Sequence, residues 1–299
     1  MANLRDVQLR MRAVRQTLQV TKAMNLIATS KLRKGRRVLE DTEPFFTRIQ
    51  KSMYDLLSCV GQVDSAYFPR AGAGAGSTAP PHSAVLVITS DKGLAGGYNA
   101  NVCRRAAALC ETLRNPLLII IGAVGCRHFA RSPYKTLESI SFKSRLPDLD
   151  DAKSITDYLT SQYLWGIFQE AHIVYTHMYS AVKTAPEARQ IVPLDAGKLQ
   201  EEIARSGGEK RVELRFEYEP SAKAVFDALA PFYIKGVVYG ALVEAYASEQ
   251  NARMAAMDEA SKNAQKMLEE LQLHYNRVRQ ASITQEVTEI VSGSAALLE

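Results

Sequence analysis

Two stretches of helical periodicity, one near each end of the chain, restrict the fold more than any other feature. Positions taken alternately three and four apart read Leu4, Val7, Met11, Val14, Leu18, Thr21, Asn25, Ala28 and Leu32, and the phase continues through Leu39, Phe46, Ile49, Met53, Leu56 and Val60. This is a heptad seam, mostly apolar, held for about sixty residues; at ~1.5 Å per residue it makes roughly 90 Å of rod. Pro44 interrupts it and is expected to kink or jog the helix. Thr21, Asn25 and Gly35 are costly seam residues, which fix register or mark a partner other than a simple helix. The second stretch begins near Lys223, with Pro231 early in it and no proline after Phe232. It predicts a helix of about 65 residues, on the order of 100 Å. Ala241, Ala245, Ala252, Ala256, Ala260 and Ala264 recur along it, and Gly236 and Gly240 permit close packing at a cost in helix propensity. No globular core in the chain is long enough to cover such a helix. Its mate is the N-terminal rod, so the two ends are expected to pair as an antiparallel coiled coil with the middle of the chain inserted between them.

The middle has a different period. "PRAGAGAGSTAPPHS" (69–83) has linker composition. "AVLVITS" and "NPLLIIIG" are short, β-branched apolar runs that predict buried strands, the second opened by Pro116 and closed by Gly122. "AHIVYTHMYS" predicts a third strand and "EARQIVPL" a fourth. "NANVCRRAAALCETLR" predicts a helix with Asn99 as its N-cap, "AVGCRHFARS" a short one, and "DDAKSITDYLTSQYLWGIFQ" a longer one capped by Asp150 or Asp151. Strands alternating with helices imply a mainly parallel sheet covered by helices. The expected division is a helix over 1–68, a linker over 69–83, an α/β domain over 84–195, a connecting segment over 196–222 and a helix over 223–299.

Composition narrows the function classes. The formal net charge of +5 permits acidic partners without demanding nucleic acid. No run approaches the length of a membrane span, so none is expected. The N-terminus has no apolar signal region; it is Arg-rich and amphipathic, but its helical pattern continues beyond a cleavable length, which favours a mature start. Cys59, Cys103, Cys110 and Cys126 form no C-x-x-C pair, which predicts buried, reduced thiols and no metal site.

"SDKGLAGGYNANV" follows a strand and opens a helix, where a dinucleotide fold places its phosphate loop. Its glycines, Gly93, Gly96 and Gly97, do not make G-x-G-x-x-G, "IIIGAVG" lacks the expected acid, and no G-x-x-x-x-G-K-[ST] occurs. A glycine-dependent turn is the stronger expectation. His82, His128, His172, His177 and His274 are scattered without a carboxylate or cysteine at diagnostic spacing. Met11, Met24 and Met53 read as packing residues. The run "SKLRKGRRVLE" places Lys31, Arg33, Lys34, Arg36 and Arg37 on several helix faces. It suits a solvated surface or an acidic protein partner, and lacks the interleaved aromatics of a base-stacking arm.

Taken together, "TLQVTKAMNLIATSKLRKG", "SDKGLAGGYNANV", "ASEQNARMAAMDEASKNA" and "YNRVRQASITQEVTEIVSGSAAL" resemble the γ subunit of rotary F-type ATP synthases, in order and over essentially the whole chain. The resemblance implies a coiled-coil central stalk with an inserted Rossmann-like α/β domain, which turns inside a catalytic hexamer of alpha and beta subunits and rests on an epsilon subunit and a membrane c-ring. Proton or Na⁺ flow turns ring and stalk together, and ATP is made or hydrolysed on the hexamer. The chain would then be no enzyme by itself and would hold no cofactor, metal or nucleic acid. Its membrane association would come only through the complex, on the cytoplasmic face of a bacterial inner membrane, or on the matrix side of a mitochondrial one.

By the same resemblance, Arg277, Arg279 and Gln280 match positions that hydrogen-bond a loop of a catalytic subunit. Arg253, Thr284 and Glu289 match positions tied to coupling. Met24, Lys31, Arg33 and Lys34 lie where the stalk faces an acidic loop. Phe216, Tyr218 and Glu219 of "FEYEP" fall near the ring, and the tip "VSGSAALL" is expected alone in an apolar sleeve. Nothing between Leu194 and Ser221 resembles the cysteine-pair insertion of plastid members. The readings that compete with this one are a dinucleotide-binding α/β protein dimerised by a coil, and a basic coiled-coil nucleic-acid binder.

Overall fold

The computed structural model describes residues 4–60, 63–69, 82–142, 144–180, 183–195, 197 and 217–296. Two helices dominate it: α1 (Leu4–Val60) and α5 (Ala222–Ala296), of 57 and 75 residues. The chain forms two compact units, one of Met1–Thr29 with Arg253–Glu299, the other of Ser30–Ala252. Each long helix contributes to both.

In the first unit, α1 and α5 run antiparallel. Gln8 bonds to Tyr275, Thr21 to Ser261 and Asn25 to Met254, so residue numbers fall on one helix as they rise on the other. Val7, Leu18 and Ala28 of α1 and Met257 and Ala264 of α5 are buried. The small side chains on the seam are what allow the backbones to approach.

The second unit is a three-layer α/β structure. Its sheet, in the order β3-β2-β1-β4-β5, comprises β1 (Ser83–Ile88), β2 (Pro116–Ile121), β3 (Lys135–Ile140), β4 (Glu170–Met178) and β5 (Thr184–Val192). All pairings are parallel except β4 with β5. Helices cover both faces, so the central strands bury both sides and read as continuous apolar runs. Val85, Val87, Leu118, Ile120 and Val174 pack on α2 (Tyr98–Thr112) and on Phe129 of α3 (Ala123–Phe129). Leu86, Ile88, Ile119 and Ile173 pack on α4 (Leu149–Leu164) and on the parts of α1 and α5 that belong to this unit.

Several local expectations change. β3, "KTLESI", is a strand that hydrophobic patterning does not reveal; as an edge strand it buries only part of Leu137 and Ile140. Asp148, rather than Asp150 or Asp151, caps α4, and Asp151 returns the bond in a capping box. Gly97, rather than Asn99, precedes α2. α1 continues past Pro44 to Val60, and α5 carries Pro231 within it. Gly236 is a close-packing site: a Cβ there would lie 2.4 Å from Cδ1 of Phe46. Gly240 is not, since a Cβ there would meet nothing within 4 Å. Of the region read as a linker, residues 70–81 lie outside the described residues, and Ser83 begins β1.

Among the described residues one helix, α5, is apolar enough to cross a membrane by length and composition alone. Its apolar residues Phe226, Ile234, Val238, Leu242 and Val243 are buried in the core of the second unit, which accounts for that composition.

Candidate functional site

The strand-to-helix loop after β1 is tied by its own side chains to the loops after β2 and β3. Asp91 Oδ1 accepts from the Ala123 backbone N–H at 3.1 Å and from Ser141 Oγ at 2.8 Å, while Oδ2 accepts from the Ser144 N–H at 2.8 Å. Thr89 Oγ1 accepts from the Gly125 N–H and donates to the Ile121 carbonyl. The backbone N–H groups at the start of α3 are therefore spent on Asp91, Thr89 and the Ser90 carbonyl, which ties the loop after β1 to the loop after β2. Asn99, read from sequence as a cap, instead accepts from the Ser90 N–H at 2.9 Å and ties the loop shut. Gly122 has φ +97 and lies so close to the Thr89 carbonyl that a Cβ would sit 2.3 Å from its oxygen. Within "SDKGLAGGYNANV" itself Gly96 has φ +54, the left-handed conformation that glycine adopts at least cost, while a Cβ at Gly93 would meet nothing within 4 Å.

The helix pair offers the larger surface. Its polar seam residues are used: Asn25 Nδ2 donates to the Met254 carbonyl at 3.0 Å, and Ser261 Oγ donates to the buried Thr21 Oγ1 at 2.8 Å. Beside them lies an open groove of about 690 Å³, lined by Leu18, Leu26, Lys22, Lys262, Lys266 and Glu269 among others. Met24 and Arg253 are half-buried on this pair.

Beyond Tyr275 the C-terminal stretch of α5 loses cover. Arg277, Arg279, Gln280, Thr284 and Glu289 are all exposed. Thr284 donates to the Gln280 carbonyl and Thr288 to that of Thr284, while Gln285 donates to Glu289 Oε1 at 2.9 Å. Short polar side chains thus fold back on the helix. Between them Ile283, Val287, Ile290 and Val291 form an exposed apolar stripe at helical spacing, Ile290 being 72% accessible. Residues 297–299 lie outside the described residues, and side chains are described only as far as residue 292.

The basic run divides into two groups. Lys31 Nζ reaches the Ser144 carbonyl at 3.5 Å and Arg36 reaches Met178 Sδ at 3.7 Å, so these two lie back on the α/β core. Arg33, Lys34 and Arg37 stand exposed, Arg37 beside Asp41. Near the start of α5, Tyr218 is half-buried against the core and Glu219 is exposed; Phe216 falls outside the described residues.

Two side-chain arrangements escaped sequence reading. His177 Nδ1 lies 2.7 Å from Glu244 Oε2, a pairing across 67 residues. Burial pushes the Glu244 carboxyl above the ordinary range, and His177 partly offsets this. The thiols follow the expectation of burial at two positions and depart from it at two. Cys103 and Cys110 are buried, and desolvation pushes each up to about 11, whereas Cys59 is exposed and Cys126 half-buried. Among the described residues no group of three His, Cys, Asp or Glu side chains could hold a metal ion.

The family model described as ATP synthase matches residues 3–297. The ATP synthase gamma chain of Acetivibrio thermocellus is 39% identical over 298 residues, 99% of this chain and 100% of the relative. That of Ruminiclostridium cellulolyticum is 39% identical over 296 residues, 99% of both chains. A chain of the Euglena gracilis mitochondrial ATP synthase, OSCP/F1/c-ring in rotational state 3, superposes with a TM-score of 0.65 at 17% identity, covering 98% of this chain and 94% of that one. A chain of the Tetrahymena thermophila mitochondrial ATP synthase central stalk/c-ring superposes at 0.58 and 24% identity, covering 81% and 99%. The two structures share the fold, and the two bacterial gamma chains share the sequence from end to end: the chain belongs to the ATP synthase family, among its gamma chains.

Proposed function

We propose that the chain is the central shaft of a bacterial rotary ATP synthase and catalyses nothing itself. The observation that carries this is the C-terminal stretch of α5. A helix that presents an apolar stripe, exchangeable short polar groups and exposed arginines needs surroundings supplied by other chains. It needs contacts that exchange as it turns, and strong aromatic anchors would trap it at one angle.

In this reading Arg277, Arg279 and Gln280 hydrogen-bond a loop of one catalytic subunit at a time, and Arg253, Thr284 and Glu289 tune coupling. Met24, Lys31, Arg33 and Lys34 face an acidic loop, with Arg33 and Lys34 the members fully presented. Tyr218 and Glu219, with Phe216, meet the ring. The partners are the alpha and beta subunits, an epsilon subunit and a c-ring, and the chain is peripheral on the cytoplasmic face of the inner membrane. The glycine spacing of the β1–α2 loop, which does not make G-x-G-x-x-G, counts against a dinucleotide site. Co-purification tests the reading: the tagged chain should bring down a three-plus-three hexamer and should show no ATPase activity alone. A chain purified from its host without such a hexamer would overturn it.

A further inference from the structure

The amino ends of the parallel strands form a rim that the shaft role leaves unused. In sheet order, Arg131 precedes β3 and Lys135 begins it, Arg114 and Asn115 precede β2, His82 precedes β1, and the turn 164–169 precedes β4. His82 joins the two halves of this rim. Its N–H donates to Gln169 Oε1 at 2.7 Å, its carbonyl accepts from the Gln169 N–H at 3.0 Å, and its ring Nδ1 lies 3.2 Å from the Asn115 carbonyl oxygen. Gln169 Nε2 in turn donates to the Gly166 carbonyl, at a turn where Gly166 has φ +77.

That turn holds apolar side chains outward. Trp165, the sole tryptophan of the chain, is 73% exposed, and Leu164 and Ile167 on either side are each more than 40% exposed. Along the rim, Arg114, Arg131 and Lys135 are exposed. Among the described residues none of the three makes an ion pair; the acids nearest in sequence are Glu111 and Glu138. An exposed indole flanked by aliphatic groups and unpaired cations suits a membrane–water boundary. The ring sits at headgroup depth and guanidinium groups pair with phosphates.

The same end of the core carries the Leu194–Tyr67 backbone bond and the Ser65–Asp227 side-chain bond, close to where Tyr218 and Glu219 lead into α5. We propose that this rim rests on an anionic lipid surface, with Trp165 and Ile167 in the headgroup layer and Arg114, Arg131 and Lys135 on lipid phosphates. That the rim faces the membrane in the complex rests on the shaft reading; its affinity for lipid does not. A fluid bilayer presents the same chemistry at every angle, so the contact is compatible with turning.

Vesicles and the full-length chain alone test this, with Trp165 emission as the reporter. Phosphatidylcholine vesicles containing one third phosphatidylglycerol should shift the emission to the blue, salt should reverse the shift, and phosphatidylcholine alone should leave it unmoved. The triple variant Arg114→Glu/Arg131→Glu/Lys135→Glu should weaken binding about a hundredfold, on the basis of about fivefold per cation. Ile167→Ser, which keeps every charge, should also weaken it. Arg33→Glu/Lys34→Glu/Arg37→Glu should keep the shift. All the charged side chains are exposed, and far-UV circular dichroism checks that each variant is folded. Unmoved emission on anionic vesicles, undiminished binding by the rim variants, or loss of the shift in the α1 variant would each overturn the proposal. Failure of the shaft reading would show separately, as failure to capture the hexamer.

Discussion

Asn25 of α1 donates its side-chain N–H to the backbone carbonyl of Met254 on α5, at 3.0 Å. One turn back along α1, Thr21 accepts from Ser261 of α5. The two polar residues among the costly seam positions therefore each meet a polar partner on the other helix. A slipped register would break both interhelical bonds, at about 1 kcal/mol each. The polar seam thus specifies one alignment of two helices whose small apolar residues would tolerate several.

Asn25→Ala should destabilise the chain by about 1 kcal/mol, read as a lower urea midpoint. Thr21→Cys/Ser261→Cys in a cysteine-free background should cross-link readily on oxidation, and adding Asn25→Leu should reduce that yield. An unchanged midpoint together with an unchanged yield would remove the register role.

Gly236 and Gly240, one helical turn apart, should respond to alanine with opposite signs. Gly240→Ala adds a methyl to open space and gains helix propensity, so it should stabilise by about 0.5–1 kcal/mol. Gly236→Ala drives its Cβ into the Phe46 ring and should destabilise by about 1–3 kcal/mol. Thermal unfolding of the two variants checks both signs.

Glu244 predicts a pH dependence. Its carboxyl is raised in the folded state, chiefly by burial. A raised carboxyl gives stability that is full below the ordinary glutamate range and declines as pH rises through the folded value. Glu244→Gln keeps an acceptor for His177 and removes the buried charge. Its stability relative to the parent should therefore improve from pH 4 to pH 7. A difference that stays flat over this range in urea unfolding would refute the assignment.

Asp91→Ala should destabilise the second unit by about 1–3 kcal/mol, because it orphans the donors of Ala123, Ser141 and Ser144. Calorimetry should show the lower melting temperature. Titration with ATP or NAD should show no tight binding by either protein.

Arg279→Ala and Gln280→Ala should lower ATP-driven proton pumping by the reconstituted complex about tenfold, the scale of one charge-assisted hydrogen bond. The isolated chain should keep its stability, because both side chains are exposed. Undiminished pumping by both variants would remove them from the coupling surface.

Much of this protein follows from periodicity. A seam repeating every three and four residues, and apolar runs that switch to strand length, are local properties of the chain. They determine two long helices, an antiparallel pairing and a helix-covered sheet between them. The glycine turn was legible too, because its spacing departs from a phosphate loop. β3 was not, since an edge strand buries too little to leave an apolar pattern. Tertiary structure alone decided which groups the polar residues meet. His177 finds Glu244 across 67 residues, Asn25 finds Met254 across 229, and Asp91 finds Ser144 across 53. Such pairings have no local signature: a hydrogen bond needs two groups within about 3 Å, and only packing brings distant parts of the chain that close.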